Sequence, residues 1–120
     1  MSALETTLKW YGKDKTKEMQ NAMVTALMRS ANLVQSTAKL LVPVDTANLR
    51  ASIVRSVDPR TLVGIVSTNV EYAIHVEFGA KRQKAQPFMR PGLKDNIDNI
   101  NKIFVSEGKK VTKWVTHIQL

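Results

Sequence analysis

Residues 14–43, DKTKEMQNAMVTALMRSANLVQSTAKLLVP, decide the architecture. Met19, Met23, Ala26, Ser30, Val34, Ala38 and Leu41 recur at steps of three or four, the interval that puts side chains on one face of an α-helix. Asp14 stands where it can cap the first free amides. Pro43 lacks an amide hydrogen and pushes its predecessor towards extended backbone, so the helix ends by about Val42. The expected rod is roughly 26 residues, about 40 Å long at ~1.5 Å per residue. Its methionines and alanines suit close, adaptable packing against a sheet or a second helix, so the stripe reads as core rather than as a ligand site.

Downstream of the proline, VDTANLRAS reads as a short helical turn capped by Asp45. Two β-branched runs, Ser52–Val57 and Leu62–Ser67, flank Asp58-Pro59-Arg60-Thr61, a tetrapeptide with aspartate and proline at the turn positions they favour. A β-hairpin is predicted there. Val63 and Ile65 point to one face and Leu62, Gly64 and Val66 to the other, so both faces are expected to be partly covered. Thr68-Asn69-Val70-Glu71 has the form of a capping box opening a short helix that runs through Phe78 and closes at Gly79. The basic, aperiodic segment Ala80–Gln86 is an exposed loop. From Met89, the spacing of Leu93, Ile97, Ile100 and Phe104 predicts a second amphipathic helix ending near Gly108. Beyond it, Val111, Trp114, Val115 and Ile118 fit either a helix or a strand. The fold class expected is therefore α+β, one long helix on a small antiparallel sheet with a short helix and a C-terminal helix, in a single domain over 1–120 whose core is about 14–107.

Composition narrows function by exclusion. Hydrophobic residues make up 43% and charged residues 23% of the 120, the proportions of a folded globular chain. No run approaches the roughly 20 apolar residues that span a bilayer, and MSALETTLKWYGKDK lacks the pattern of a signal peptide, so no membrane partner and synthesis in a cytoplasm are expected. There is no cysteine, which removes disulfides, thiolate catalysis and Cys-ligated metal together. His75 and His117 stand isolated, and no metal or other cofactor is expected. The net charge of +8 suits an acidic partner or nucleic acid, with Lys9, Lys13, Lys15 and Lys17 in one cluster and Lys81, Arg82, Lys84 and Arg90 in another.

Catalytic patterns are missing: no GxxxxGK[ST], no GxGxxG, no HExxH and no nucleophile elbow. Glu71 and Glu77 lie six apart on a short helix, on different faces, and Asp95 and Asp98 sit among Lys94 and Lys102 as a solvated surface. No catalytic residue and no small-molecule substrate are expected; the chain reads as non-enzymatic.

Three stretches in fixed order carry more. Lys39-Leu40-Leu41-Val42-Pro43-Val44-Asp45-Thr46 leads into Asn48-Leu49-Arg50-Ala51-Ser52-Ile53; Glu71-Tyr72-Ala73-Ile74-His75-Val76-Glu77-Phe78-Gly79 is the second; then comes Gln86-Pro87-Phe88-Met89-Arg90-Pro91. Together, over about Thr16 to Phe104, they resemble the small tail-completion or head–tail joining proteins of siphophages, also called minor tail components. Ala47 stands where that family usually has glycine, and Ala80 where it usually has threonine.

The resemblance implies a homo-oligomeric ring, a hexamer, at the top of the tail, with DNA threading its lumen. It implies contacts with head adaptor or stopper, tail terminator and tail-tube proteins, and residence in the virion after assembly in the host cytoplasm. Terminator and head-side connector stay open as alternatives. The residues it singles out for packing or interface are Pro43, Asp45, Thr46, Leu49, Arg50, Tyr72, Glu77, Phe78, Gly79, Pro87, Phe88, Arg90 and Pro91. Tyr72, Phe78 and Phe88 are the groups best able to anchor the short helix and loop on the sheet. Arg50 and Glu77, opposite in charge, are expected to pair within or between subunits. Lys81, Arg82 and Lys84 either meet transiting DNA or dock on an acidic protein surface, the latter being preferred. The alternative from another class is a small basic protein that binds nucleic acid without sequence preference.

Overall fold

The computed structural model describes residues 2–12, 16–43, 47–108 and 116–119. The long helix, α1, runs Lys17–Leu41. Its cap is Thr16, in extended conformation, whose Oγ1 accepts from the Met19 amide at 3.2 Å. The start is thus later than an Asp14 cap would give; Asp14 itself lies outside the described residues. Val42 ends the helix as expected of a residue before proline, with ψ 133° and its amide returned to the Ala38 carbonyl at 3.1 Å. Met19, Met23, Ala26, Ser30, Val34 and Ala38 are buried, joined by Leu27 and Ala31, whereas Leu41 turns outward and is 42% exposed.

This face packs against an antiparallel sheet of strand order β2-β3-β1-β4, formed by β1 (Leu4–Trp10), β2 (Val54–Asp58), β3 (Val63–Thr68) and β4 (Thr116–Gln119). The β2–β3 hairpin is the one predicted. Its turn is held by Asp58 Oδ1, which accepts from the Arg60 and Thr61 amides at 2.9 and 3.4 Å. Ser52 and Ile53 are not part of the first strand, because Ser52 belongs to α2 (Ala47–Ser52). Leu62 takes a left-handed φ of 58° and buries its side chain. On β3, Gly64, Val66 and Thr68 are buried while Val63, Ile65 and Ser67 are half-exposed, so one sheet face is covered more fully than the other.

The central strand β1 was not among the predicted elements. It pairs with β3 in a register setting Thr7 opposite Ile65 and Leu8 opposite Gly64, and turns Thr6, Leu8 and Trp10 into the core. β4 pairs with its other edge, so the tail residues Thr116–Gln119 form the strand of the two alternatives.

The capping box at Thr68 does not form. The short helix α3 begins at Ala73 without a side-chain cap, and Thr68 Oγ1 instead accepts from the Val70 amide at 3.2 Å. The Thr68 hydroxyl also meets Ser52 Oγ at 2.6 Å, and Ser52 donates to the Leu49 carbonyl at 2.6 Å. With one proton per hydroxyl, the chain runs Val70 N–H to Thr68 to Ser52 to Leu49, tying α2 to β3.

The predicted second amphipathic helix is two: α4 (Met89–Lys94) and α5 (Ile97–Gly108). Asn96 lies between them, its Nδ2 donating to the Gly92 carbonyl at 2.7 Å and Thr37 Oγ1 at 2.9 Å. Both helices pack on α1. At the crossing Gly92 lets α4 approach α1, since a Cβ there would stand 3.2 Å from the Val34 carbonyl oxygen. Leu93, Ile100 and Phe104 enter the core with Phe88 and Met89. A buried side chain of this size contributes about 1.5–3 kcal/mol through removal of apolar surface from water. Polar ties supplement it: Arg29 to Glu107 at 2.9 Å, and Gln35, which donates to the Ile53 carbonyl at 2.9 Å and accepts from Arg55.

Candidate interaction site at the Glu77–Arg90 corner

The helix α3 (Ala73–Phe78) turns Ala73, Val76 and Glu77 inward and leaves Ile74, His75 and Phe78 exposed. Gly79 closes it at φ 84° and ψ 168°, a region that glycine alone occupies comfortably, with its amide on the His75 carbonyl at 2.8 Å. The chain then reverses at once. Ala80 and Gln83 exchange backbone hydrogen bonds at 2.9 and 3.0 Å, so Lys81 and Arg82 form the tip of a tight turn. The Gln86 amide returns to the Val76 carbonyl at 2.8 Å. The basic segment is exposed, as predicted, and is also hydrogen-bonded into place.

Glu77 organises the start of α4. Its side chain is fully buried, and Oε1 accepts from the amides of Phe88 and Met89 at 3.0 and 2.7 Å. Oε2 accepts from the Arg90 amide at 3.1 Å and from Arg90 Nε at 2.9 Å. Arg90 also donates through Nη2 to the Glu77 carbonyl at 3.2 Å. A carboxylate eleven to thirteen residues away thus satisfies the free amides where α4 begins, a task usually done by a neighbouring cap. Burial pushes the Glu77 carboxyl up, but the Arg90 guanidinium and the Met89, Phe88 and Arg90 amides outweigh it and hold the group below its usual value. The Arg90 guanidinium, anchored on this carboxylate, stacks over the Phe78 ring 4.4 Å from its centroid.

The expected Arg50–Glu77 pair does not exist within the chain. Arg50 donates to the carbonyls of Lys39 and Val42, each at 3.1 Å, placing a cation on the last turn of α1 where free carbonyls and the helix dipole favour it. Glu77 is committed to Arg90 and fully buried, which also removes it as a partner for a neighbouring subunit. Of the three aromatic anchors only Phe88 is one, at 0% exposure. Tyr72, just ahead of α3, and Phe78, on its outer side, are 40% and 54% exposed. Ile74, one turn before Phe78, shares that exposure, which its place between Ala73 and His75 in the sequence does not signal.

Leu49 is the buried residue of α2, and Pro43 comes just after the end of α1; Asp45 and Thr46 lie outside the described residues. Pro87 and Pro91 flank Phe88–Arg90 and line an open groove with Leu93, Lys94, Asp95 and Ile97. The corner therefore gathers Tyr72, Glu77, Phe78, Gly79, Lys81, Arg82, Lys84, Pro87, Phe88, Arg90 and Pro91, and leaves Pro43, Leu49 and Arg50 to secure α1 and α2.

Residues 2–79, from ahead of β1 to the closing Gly79, match the family described as "Bacteriophage HK97-gp10, putative tail-component". The chain belongs to that family. The match includes the Pro43–Ile53 and Glu71–Gly79 stretches and ends just before the basic turn, so the Gln86–Pro91 stretch lies beyond it. No curated protein and no solved structure matches the chain. As a phage tail component it is a virion protein that meets other tail or head proteins. Among its described residues no helix is long and apolar enough to cross a membrane.

Proposed function

We propose that this tail component completes the tail or joins it to the head, as one subunit of a ring around the DNA channel. The observation that carries the reading is the family match over residues 2–79, which takes in α1, three strands of the sheet and both motif stretches up to Gly79. The role proposed is structural: Glu77, the motif carboxylate, is fully buried and both its oxygens accept from Arg90 and three backbone amides, so it is spent on holding the corner together and does not face a substrate. Charged motif residues that cap helices make a rigid block, and rigidity suits a subunit that must meet its neighbours in fixed register.

Gold-labelling a tagged chain in purified particles tests the position. Label confined to the head-proximal end of the tail supports the reading, and label along the tube or at the distal tip contradicts it. A hexameric ring predicts one assembly six times the subunit mass when the chain is released from tails.

A further inference from the structure

We infer that the corner made by Ile74, Phe78 and the Lys81–Arg82 turn is a preformed docking knob for an acidic surface on a different virion protein, one with an apolar depression that receives the Phe78 ring. The inference rests on the tail-component reading and adds to it a face and a partner chemistry.

Charge is the first support. Residues 78–94 contain Lys81, Arg82, Lys84, Arg90 and Lys94 and no aspartate or glutamate. Arg90 is neutralised by Glu77, which leaves four cations on a short stretch, with Lys81, Arg82 and Lys84 exposed at or beside the turn. A second copy of the chain offers this basic corner little acidic surface to meet, with 10 acidic residues against 18 basic ones.

Apolar chemistry is the second. Single exposed hydrophobic residues are ordinary on protein surfaces. Here Ile74 and Phe78 lie one turn apart on the same helix face, 43% and 54% exposed, directly before the cations. Aromatic and arginine side chains set together are what carries binding energy at protein interfaces. Duplex phosphates would gain from the lysines and nothing from Ile74, so protein is the favoured partner over DNA.

Order is the third support. The turn is fixed by the Ala80–Gln83 pair, the Gln86–Val76 hydrogen bond and Gly79, and the Phe78 ring by Arg90. Little conformational freedom remains to be lost on docking.

The test uses the parent phage with this gene deleted, complemented from a plasmid. The triple variant Lys81→Glu/Arg82→Glu/Lys84→Glu and, separately, Phe78→Ala should each lower the protein carried by purified particles at least about tenfold, while melting like the wild type. A photo-crosslinking amino acid at position 82 should join the wild-type chain to an acidic peptide of another virion protein. Wild-type incorporation by both variants overturns the inference, as does a crosslink to DNA, to the chain itself, or to nothing. If the deleted phage forms normal particles without any plasmid, the tail-completion reading fails first and the knob with it, an outcome distinct from variants that behave as wild type.

Discussion

Arg90 and Glu77 form a bond between a half-exposed cation and a fully buried carboxylate, 2.9 Å from Nε to Oε2, and the same carboxylate holds three successive amides at the start of α4. The two partners are therefore unequal. Removing the glutamate strands three amides and a guanidinium, whereas removing the arginine side chain leaves the carboxylate with its amide donors.

Glu77→Ala should accordingly cost about 3–5 kcal/mol of stability and Arg90→Ala only about 2 kcal/mol, measured by urea unfolding. A double-mutant cycle should give clear coupling for Glu77 with Arg90 and less than about 0.5 kcal/mol for Glu77 with Arg50. Equal single costs, or strong coupling to Arg50, would contradict the arrangement.

The pH dependence originates at the same site. A carboxyl held below its ordinary value of 4.5 in the folded chain stabilises it fully above that pH, and the contribution is lost as pH falls through the lower folded value. Asp58, lowered chiefly by the Arg60 amide, acts with the same sign. Unfolding midpoints taken downward from about pH 6 should therefore fall on acidification below about pH 4.5. In Glu77→Gln the fall should be shallower, because the Glu77 contribution is gone and that of Asp58 remains; an unchanged slope would assign the acid sensitivity elsewhere.

Gly79→Ala should destabilise by about 1–3 kcal/mol, since φ 84° with ψ 168° is strained for any residue with a side chain. Its Cβ would also stand 3.0 Å from the Ala85 amide nitrogen. Hydrogen exchange should show faster opening at Gln83 and Gln86, whose amides hold the basic turn; protection equal to wild type would show that the turn does not depend on this glycine.

Ser30 is fully buried on the core face of α1, and its hydroxyl meets no hydrogen-bond partner among the described residues. Ser30→Ala removes that unpaired group and raises helix propensity, so it should stabilise by about 1 kcal/mol, read as a higher melting temperature. A lower one would reveal a partner for the hydroxyl.

How far the sequence spoke depended on the range of the interactions involved. α1 was legible because apolar and small residues from Met19 through Ala38 repeat along most of its length and Pro43 marks the end. β1 was not, although Leu4, Thr6, Leu8 and Trp10 alternate, because a threonine on the buried side blurs a pattern only seven residues long. The break between α4 and α5 leaves no trace in the apolar spacing, since Leu93, Ile100 and Phe104 stay buried across it; Asn96 marks the place, through contacts with Gly92 and Thr37. At the corner, the sequence named Arg50, Glu77 and Arg90 but paired the wrong two. Opposite charges alone do not say which cation a buried carboxylate will meet, and the choice was made by the reversal at Gly79, which brings residue 90 back onto α3.

Electron microscopy of the phage with the gene deleted shows whether this tail component acts where the tail is completed or joined to the head. Filled heads and finished tube-length tails lying separate, rejoined when the chain is supplied from a plasmid, are the predicted result. Intact infectious particles without the chain, or heads accompanied by no polymerised tails, would contradict it.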